Sequence, residues 1–133
     1  MSEKARRGRA DSAARSSEAL QAEGIAACGK AFPGHGDTST DSHHELPLVE
    51  HPPERLREVE FVPFTAAIDA GVATIMTAHV LVPSLDEQRP ATLSKRVITD
   101  LLRDELQYEG VILSDDLGDE GDRQRTTRCP TPR

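Results

Sequence analysis

Residues 34–44, GHGDTSTDSHH, bring His35, Asp37, Asp41, His43 and His44 into one short stretch. Three uses fit it. Its Gly, Asp and Ser residues make turns in a solvated loop. Its His and Asp side chains are metal ligands by type, but their spacing matches neither HExxH nor a helical i, i+4 pair. The third use is proton transfer: Asp41 lies two residues before His43, a spacing that in extended backbone sets both side chains on one side, so the carboxylate can orient and charge-stabilise the imidazole. A second cluster, Ser114-Asp115-Asp116, comes directly after an apolar run. It either ends a strand and caps the next helix, or points a carboxylate into a cleft as nucleophile or base. A third, Thr77-Ala78-His79, is weaker, because a lone His beside an apolar strand is more often a satisfied structural residue.

These clusters recur at the ends of short apolar runs, and the intervening sequence predicts helices. The stretch from Asp11 to Glu23 is rich in Ala and Glu, opens with capping types and is followed by Gly24, so a helix is expected there. Ile25-Ala26-Ala27-Cys28 reads as a first buried strand, stopping at Gly29 and Lys30 before the polar loop. Pro52-Pro53 introduces ERLREVEFV, and Pro63 suits the first turn of FTAAIDA, which stops at Gly71. Val72 to Met76 is the second strand. Ser94 caps a third helix with Val97, Ile98, Leu101, Leu102 and Leu106 on one stripe; Gly110 closes it, and Val111-Ile112-Leu113 is the third strand. Continuous apolar strands, each after a helix, predict an α/β fold: a parallel sheet, its strands buried on both faces, covered by helices. In such folds chemistry gathers outside the carboxyl ends of the strands, where all three clusters fall.

The chain has 133 residues, enough for one domain, whereas a complete (β/α)₈ barrel takes about 250. Its net charge of -7 argues against a surface for phosphate backbones, so nucleic acid is not an expected partner. No apolar run reaches the roughly 18 residues of a membrane span, and Asp11, Ser12 and Arg15 stand where a signal peptide would be apolar. No membrane association is expected. Cys28 and Cys129 lie far apart and outside any CxxC pair, as free thiols of a reducing, cytoplasmic compartment would. Residues 1–10 lack periodicity and are expected to be disordered.

The stretch from Gly29 to Thr38, GKAFPGHGDT, followed by Asp41-Ser42-His43, resembles the KHFPGHGDT...DSH signature of glycoside hydrolase family 3, in its bacterial β-N-acetylhexosaminidase branch. Pro63-Phe64, Ala70-Gly71-Val72, Met76-Thr77-Ala78-His79-Val80, Pro90-Ala91-Thr92-Leu93-Ser94 and the block from Gly110 to Leu117 resemble that family in the same order. The resemblance implies an incomplete TIM barrel of about three βα units over residues 11–117, with residues 118–133 as a disordered tail outside the family. It implies a retaining, exo-acting β-N-acetylhexosaminidase that removes terminal β-N-acetylglucosamine from a glycan or peptidoglycan fragment by double displacement, without metal or cofactor. On this sequence the resemblance makes Asp115 the nucleophile, His43 the general acid/base and Asp41 its dyad partner, with Lys30 and His35 binding the sugar. A His acid/base works near neutral pH with little shift from its ordinary pKa of about 6.5, whereas a second carboxylate would need its pKa raised.

Three departures from the family bear on activity. Ala31 stands where the family has a sugar-binding His. Only about three of eight βα units are visible, which leaves open sheet edges. After Leu117 the chain switches to GDEGDRQRTTRCPTPR, as a change of reading frame or an early end would produce. The isolated chain is therefore expected to have little or no activity on a chromogenic β-N-acetylglucosaminide. The alternative is a non-catalytic remnant or sugar-binding module that needs a partner fragment.

Overall fold

A computed structural model describes residues 1–35 and 46–116. Helix α1 (Glu3–Ala22) leads to strand β1 (Cys28–Phe32). A continuous helical run comes next, made of α2 (Pro53–Arg55), a π-helical stretch (Leu56–Glu60) and α3 (Phe61–Asp69). Strand β2 (Thr74–Thr77), a 3₁₀ turn (Ala91–Leu93), a π-helix (Arg96–Glu105) here termed α4, and strand β3 (Val111–Ser114) complete it. The three strands form one parallel sheet in the order β1-β2-β3, as the alternation of helix and strand predicts.

Helix α1 begins eight residues before the expected Asp11, in the segment expected to be disordered. Local bonds account for it: Ser2 caps the first turn, its Oγ accepting the Ala5 N–H at 3.3 Å, and Arg7 pairs with Glu3 one turn away at 2.6 Å. The glycine stops hold. Gly24 takes φ +79°, and the N–H groups of Ile25 and Gly24 bond to Leu20 and Gln21 carbonyls; Gly71 takes φ +74°, with Val72 and Gly71 bonding to Ala67 and Ile68. Both are Schellman caps. They also explain why β1 and β2 start later than the expected Ile25 and Val72. The N–H that would open each strand is already used by the preceding helix, so Ile25 is left exposed and Lys30 stands on β1 rather than in a loop.

Pro63 lies inside the helical run instead of opening a new helix. The π-helical stretch just before it, with Phe61 N–H bonded to the Leu56 carbonyl, widens the turn where a proline ring would otherwise press on the carbonyl four residues back. Ser94 does cap α4, its Oγ accepting the Val97 N–H at 3.3 Å. Gly110 does not end that helix: Gln107 takes the left-handed turn at φ +56°. Gly110 has a different task, since a Cβ there would run into the Tyr108 ring.

The helices cover one face of the sheet. Phe32 meets Phe61 and Phe64 with ring centroids 5.9 and 5.1 Å apart, in one core with Ile75, Val97, Leu101 and Leu102. Partners across a parallel pair share a face, so Gly29, Ile75 and Ile112 point into this core while Lys30, Met76 and Leu113 point away from it. Continuous apolar strands lead one to expect burial on both faces. Among the described residues the second face is open instead, with Val111 56% and Leu113 38% exposed, because every helix in contact with the core packs on the first.

Candidate active site

The carboxyl ends of the three strands lie level with one another. Thr77 on β2 pairs with Ser114 on β3, and the Ala78 N–H donates to the Phe32 carbonyl of β1 at 2.8 Å. The loop after β2 is fastened to this rim by a buried hydroxyl pair. Thr77 Oγ1 donates towards Thr92 Oγ1 (3.2 Å) and the Leu113 carbonyl (3.3 Å), and Thr92 Oγ1 donates to the Ala78 carbonyl (3.1 Å). The loop leaving β1 joins the same rim through Val49 N–H to the Leu81 carbonyl and Leu81 N–H to that of Pro47, both at 2.9 Å.

Asp115 comes directly after β3 and is partly exposed, its Oδ1 accepting the Asp116 N–H at 2.9 Å. The strand that carries it is held from behind. Tyr108 is buried, its hydroxyl donating to the carbonyls of Ala73 (2.9 Å) and Val111 (3.1 Å), and Arg103 lies over its ring while Nη1 donates to the Tyr108 and Gly110 carbonyls. Burial pushes the Tyr108 phenol above its ordinary pKa, with the nearby Arg103 charge opposing. Lys30 is exposed on the open face, Ala31 is half-buried against the core, and His35 is exposed just past Gly34. Gly34 takes φ +136°, where a Cβ would sit 3.0 Å from Glu60 Cγ. Asp37, Asp41, His43 and His44 lie outside the described residues.

His79 carries more than its place in the sequence suggests. Its Nε2 lies 2.7 Å from the Asp116 carbonyl, while Nδ1 is buried with no hydrogen-bond partner among the described residues, in contrast to the satisfied structural His expected at that place. Only the meeting of two strand ends reveals it; a single His after Thr77-Ala78 carries no such signal in the chain. Asp86, in the loop before α4, is the other polar anchor. Burial alone would raise its carboxyl pKa, but the Ser94 hydroxyl (2.7 Å), the N–H groups of Gln88 and Arg89 and the Arg96 charge together hold it below the ordinary range.

A groove of about 830 Å³ runs between α1, β1 and the helical run, lined by Arg9, Cys28, Lys30, His35, Arg55 and Glu60 among others. Neither Asp115 nor His79 lines it. It is the gap beside the edge strand β1, and of the candidate residues it holds Lys30 and His35. Among the described residues no group of His, Cys, Asp and Glu could hold a metal ion.

A parallel α/β sheet with a carboxylate at the end of its third strand and a Lys on its open face defines an arc of a barrel-type enzyme domain. Residues 9–128 match the family described as the Glycosyl hydrolase family 3 N terminal domain, and the chain belongs to that family. It is 43% identical over 104 residues to a beta-hexosaminidase of Bordetella pertussis, an alignment covering 78% of this chain and 29% of that protein. A solved family 3 beta-N-acetylglucosaminidase from Paenibacillus sp. str. FPU-7 superposes with a TM-score of 0.79 at 48% identity, covering 84% of this chain and 21% of that one. NagZ from Neisseria gonorrhoeae, solved in complex with N-trifluoroacetyl-D-glucosamine, gives 0.71 at 36% identity, covering 84% and 32%. The chain thus spans less than a third of the length of these relatives.

Proposed function

We propose that this chain carries the nucleophile-bearing part of a retaining β-N-acetylhexosaminidase that removes terminal β-N-acetylglucosamine from glycans or peptidoglycan fragments. The observation that carries the reading is Asp115, at the end of β3 in a segment closely similar to β-hexosaminidases. Its carboxylate attacks the anomeric carbon and expels the aglycone, which takes its proton from His43; water, deprotonated by His43, then releases the sugar with its configuration retained. Asp41 holds the His43 ring. Lys30 and His35 bind sugar hydroxyls, and Lys30 shares the open face with Leu113, which strand alternation extends towards Asp115. Residues 11–117 are the barrel segment in this reading and 118–133 a tail beyond it. The exposed free thiol of Cys28 supports a cytoplasmic setting, and no described helix is long and apolar enough to cross a membrane.

The test exchanges this chain's aligned segment into the Bordetella pertussis relative and measures hydrolysis of a chromogenic β-N-acetylglucosaminide. The exchange should retain turnover, and Asp115→Asn within it should lower kcat by about 10³-fold or more. Turnover indifferent to Asp115→Asn would refute the assignment. The isolated chain should be weak or inactive, since three strands do not enclose a sugar. The exposed Val111 and Leu113 favour a second reading, a module whose open face is completed by a partner fragment. Co-purification with a chain that supplies further strands would support that reading.

A further inference from the structure

The loop after β2 and the turn after β3 come from segments 37 residues apart, yet they meet through one side chain: His79 Nε2 stands 2.7 Å from the Asp116 carbonyl. A carbonyl oxygen only accepts, so Nε2 must carry the hydrogen. The other neutral tautomer would set two lone pairs against each other and bury an N–H at Nδ1 with no partner among the described residues. The same turn is closed on its other side by the Asp116 N–H donating to Asp115 Oδ1 at 2.9 Å. Asp116 is therefore held on both sides of its Cα: the peptide unit after it is gripped at its carbonyl by His79, and the peptide unit before it holds the Asp115 carboxylate through its N–H. The two planes share the Asp116 Cα, so fixing the second limits how far the first can turn.

We propose that His79 is a positioning residue for Asp115: as its Nε2–H tautomer it fixes the Asp116 turn and so aims the carboxylate. The imidazole is itself anchored, because Ala78 before it and Val80 after it are both buried, and because Thr92 bonds to the Ala78 carbonyl. The grip thus passes from the buried Thr77–Thr92 pair through His79 to the Asp115 turn. The catalytic purpose of this arrangement rests on Asp115 being the nucleophile; the bond itself does not.

The test is nuclear magnetic resonance on the full chain. Long-range ¹H–¹⁵N correlation of the His79 ring should show Nε2 protonated and Nδ1 bare, and a protonated Nδ1 with bare Nε2 would overturn the proposal without any variant. The Asp115 carboxyl ¹³C resonance is then followed against pH. In His79→Gln, whose amide reaches about as far as Nε2 and keeps a donor, its titration should match that of the unaltered chain. In His79→Asn, which is too short, and in His79→Ala it should be displaced. Titrations that superpose in all of them would overturn the proposal. Turnover that survives Asp115→Asn in the exchanged relative would overturn the underlying nucleophile assignment, and would do so separately from both spectroscopic readouts.

Discussion

Replacing Tyr108 with Phe removes one oxygen from behind the strand that carries Asp115, and its cost depends on what that oxygen touches. The ring is 4% exposed and keeps its packing in the variant. The hydroxyl proton is shared between the carbonyls of Ala73 and Val111. Ala73 O is not orphaned by its loss, since it also accepts the Val111 N–H at 3.1 Å. One buried bond is therefore lost without a full desolvation penalty, which sets the cost at about 1 kcal/mol, or a fall in Tm of roughly 3–6 °C. Urea unfolding at neutral pH checks the figure. Alkaline pH supplies the control: burial raises the phenol's folded pKa above its unfolded value of about 10, so its stabilisation is complete below that pH and is lost as pH rises towards the folded value. The unaltered chain should thus keep its advantage over the variant to about pH 10 and lose it progressively above that. Tyr108 is the chain's single tyrosine, so its ultraviolet titration reports this site alone. A variant as stable as the parent at neutral pH, or a gap that stays constant to pH 11, would refute the reasoning.

Ser94→Ala should cost about 1–2 kcal/mol at neutral pH, because the hydroxyl both caps α4 and donates to Asp86. Asp86 has a depressed folded pKa, so its stabilisation is present above the unfolded carboxylate value of about 3.9 and is lost as pH falls through the folded value; chemical unfolding at pH 7 and pH 3 should show the variant's deficit shrinking in acid. Under the proposed function, Ala31→His adds a donor next to Lys30 and should tighten N-acetylglucosamine binding about fivefold by calorimetry, the worth of one hydrogen bond. Unchanged affinity in a folded variant would remove position 31 from the sugar site.

Local chemistry makes much of the architecture legible. Gly24 and Gly71 stop helices because only a residue tolerant of positive φ closes a Schellman cap, and Ser94 opens one because its side chain can satisfy an orphan N–H; each rule is contained within a few residues. The Asp115 cluster is visible for the same reason, as a polar group placed directly after an apolar strand. Strand boundaries are not. Ile25 and Val72 look like strand residues in isolation, but their N–H groups are taken by the helices before them, and the ladder starts where β1 and β2 come into register, at Cys28 and Thr74.

Composition and periodicity determined by themselves that this chain forms a parallel α/β sheet with its polar clusters directly after the strands. Tertiary structure decided which groups in those clusters hold one another. His79 and Asp116 meet because β2 and β3 end at one level, and Tyr108 reaches Ala73 because α4 returns β3 beside β2. A sequence records which donors and acceptors exist. Which of them fall within about 3 Å of each other is fixed only when strands distant in the chain settle into register.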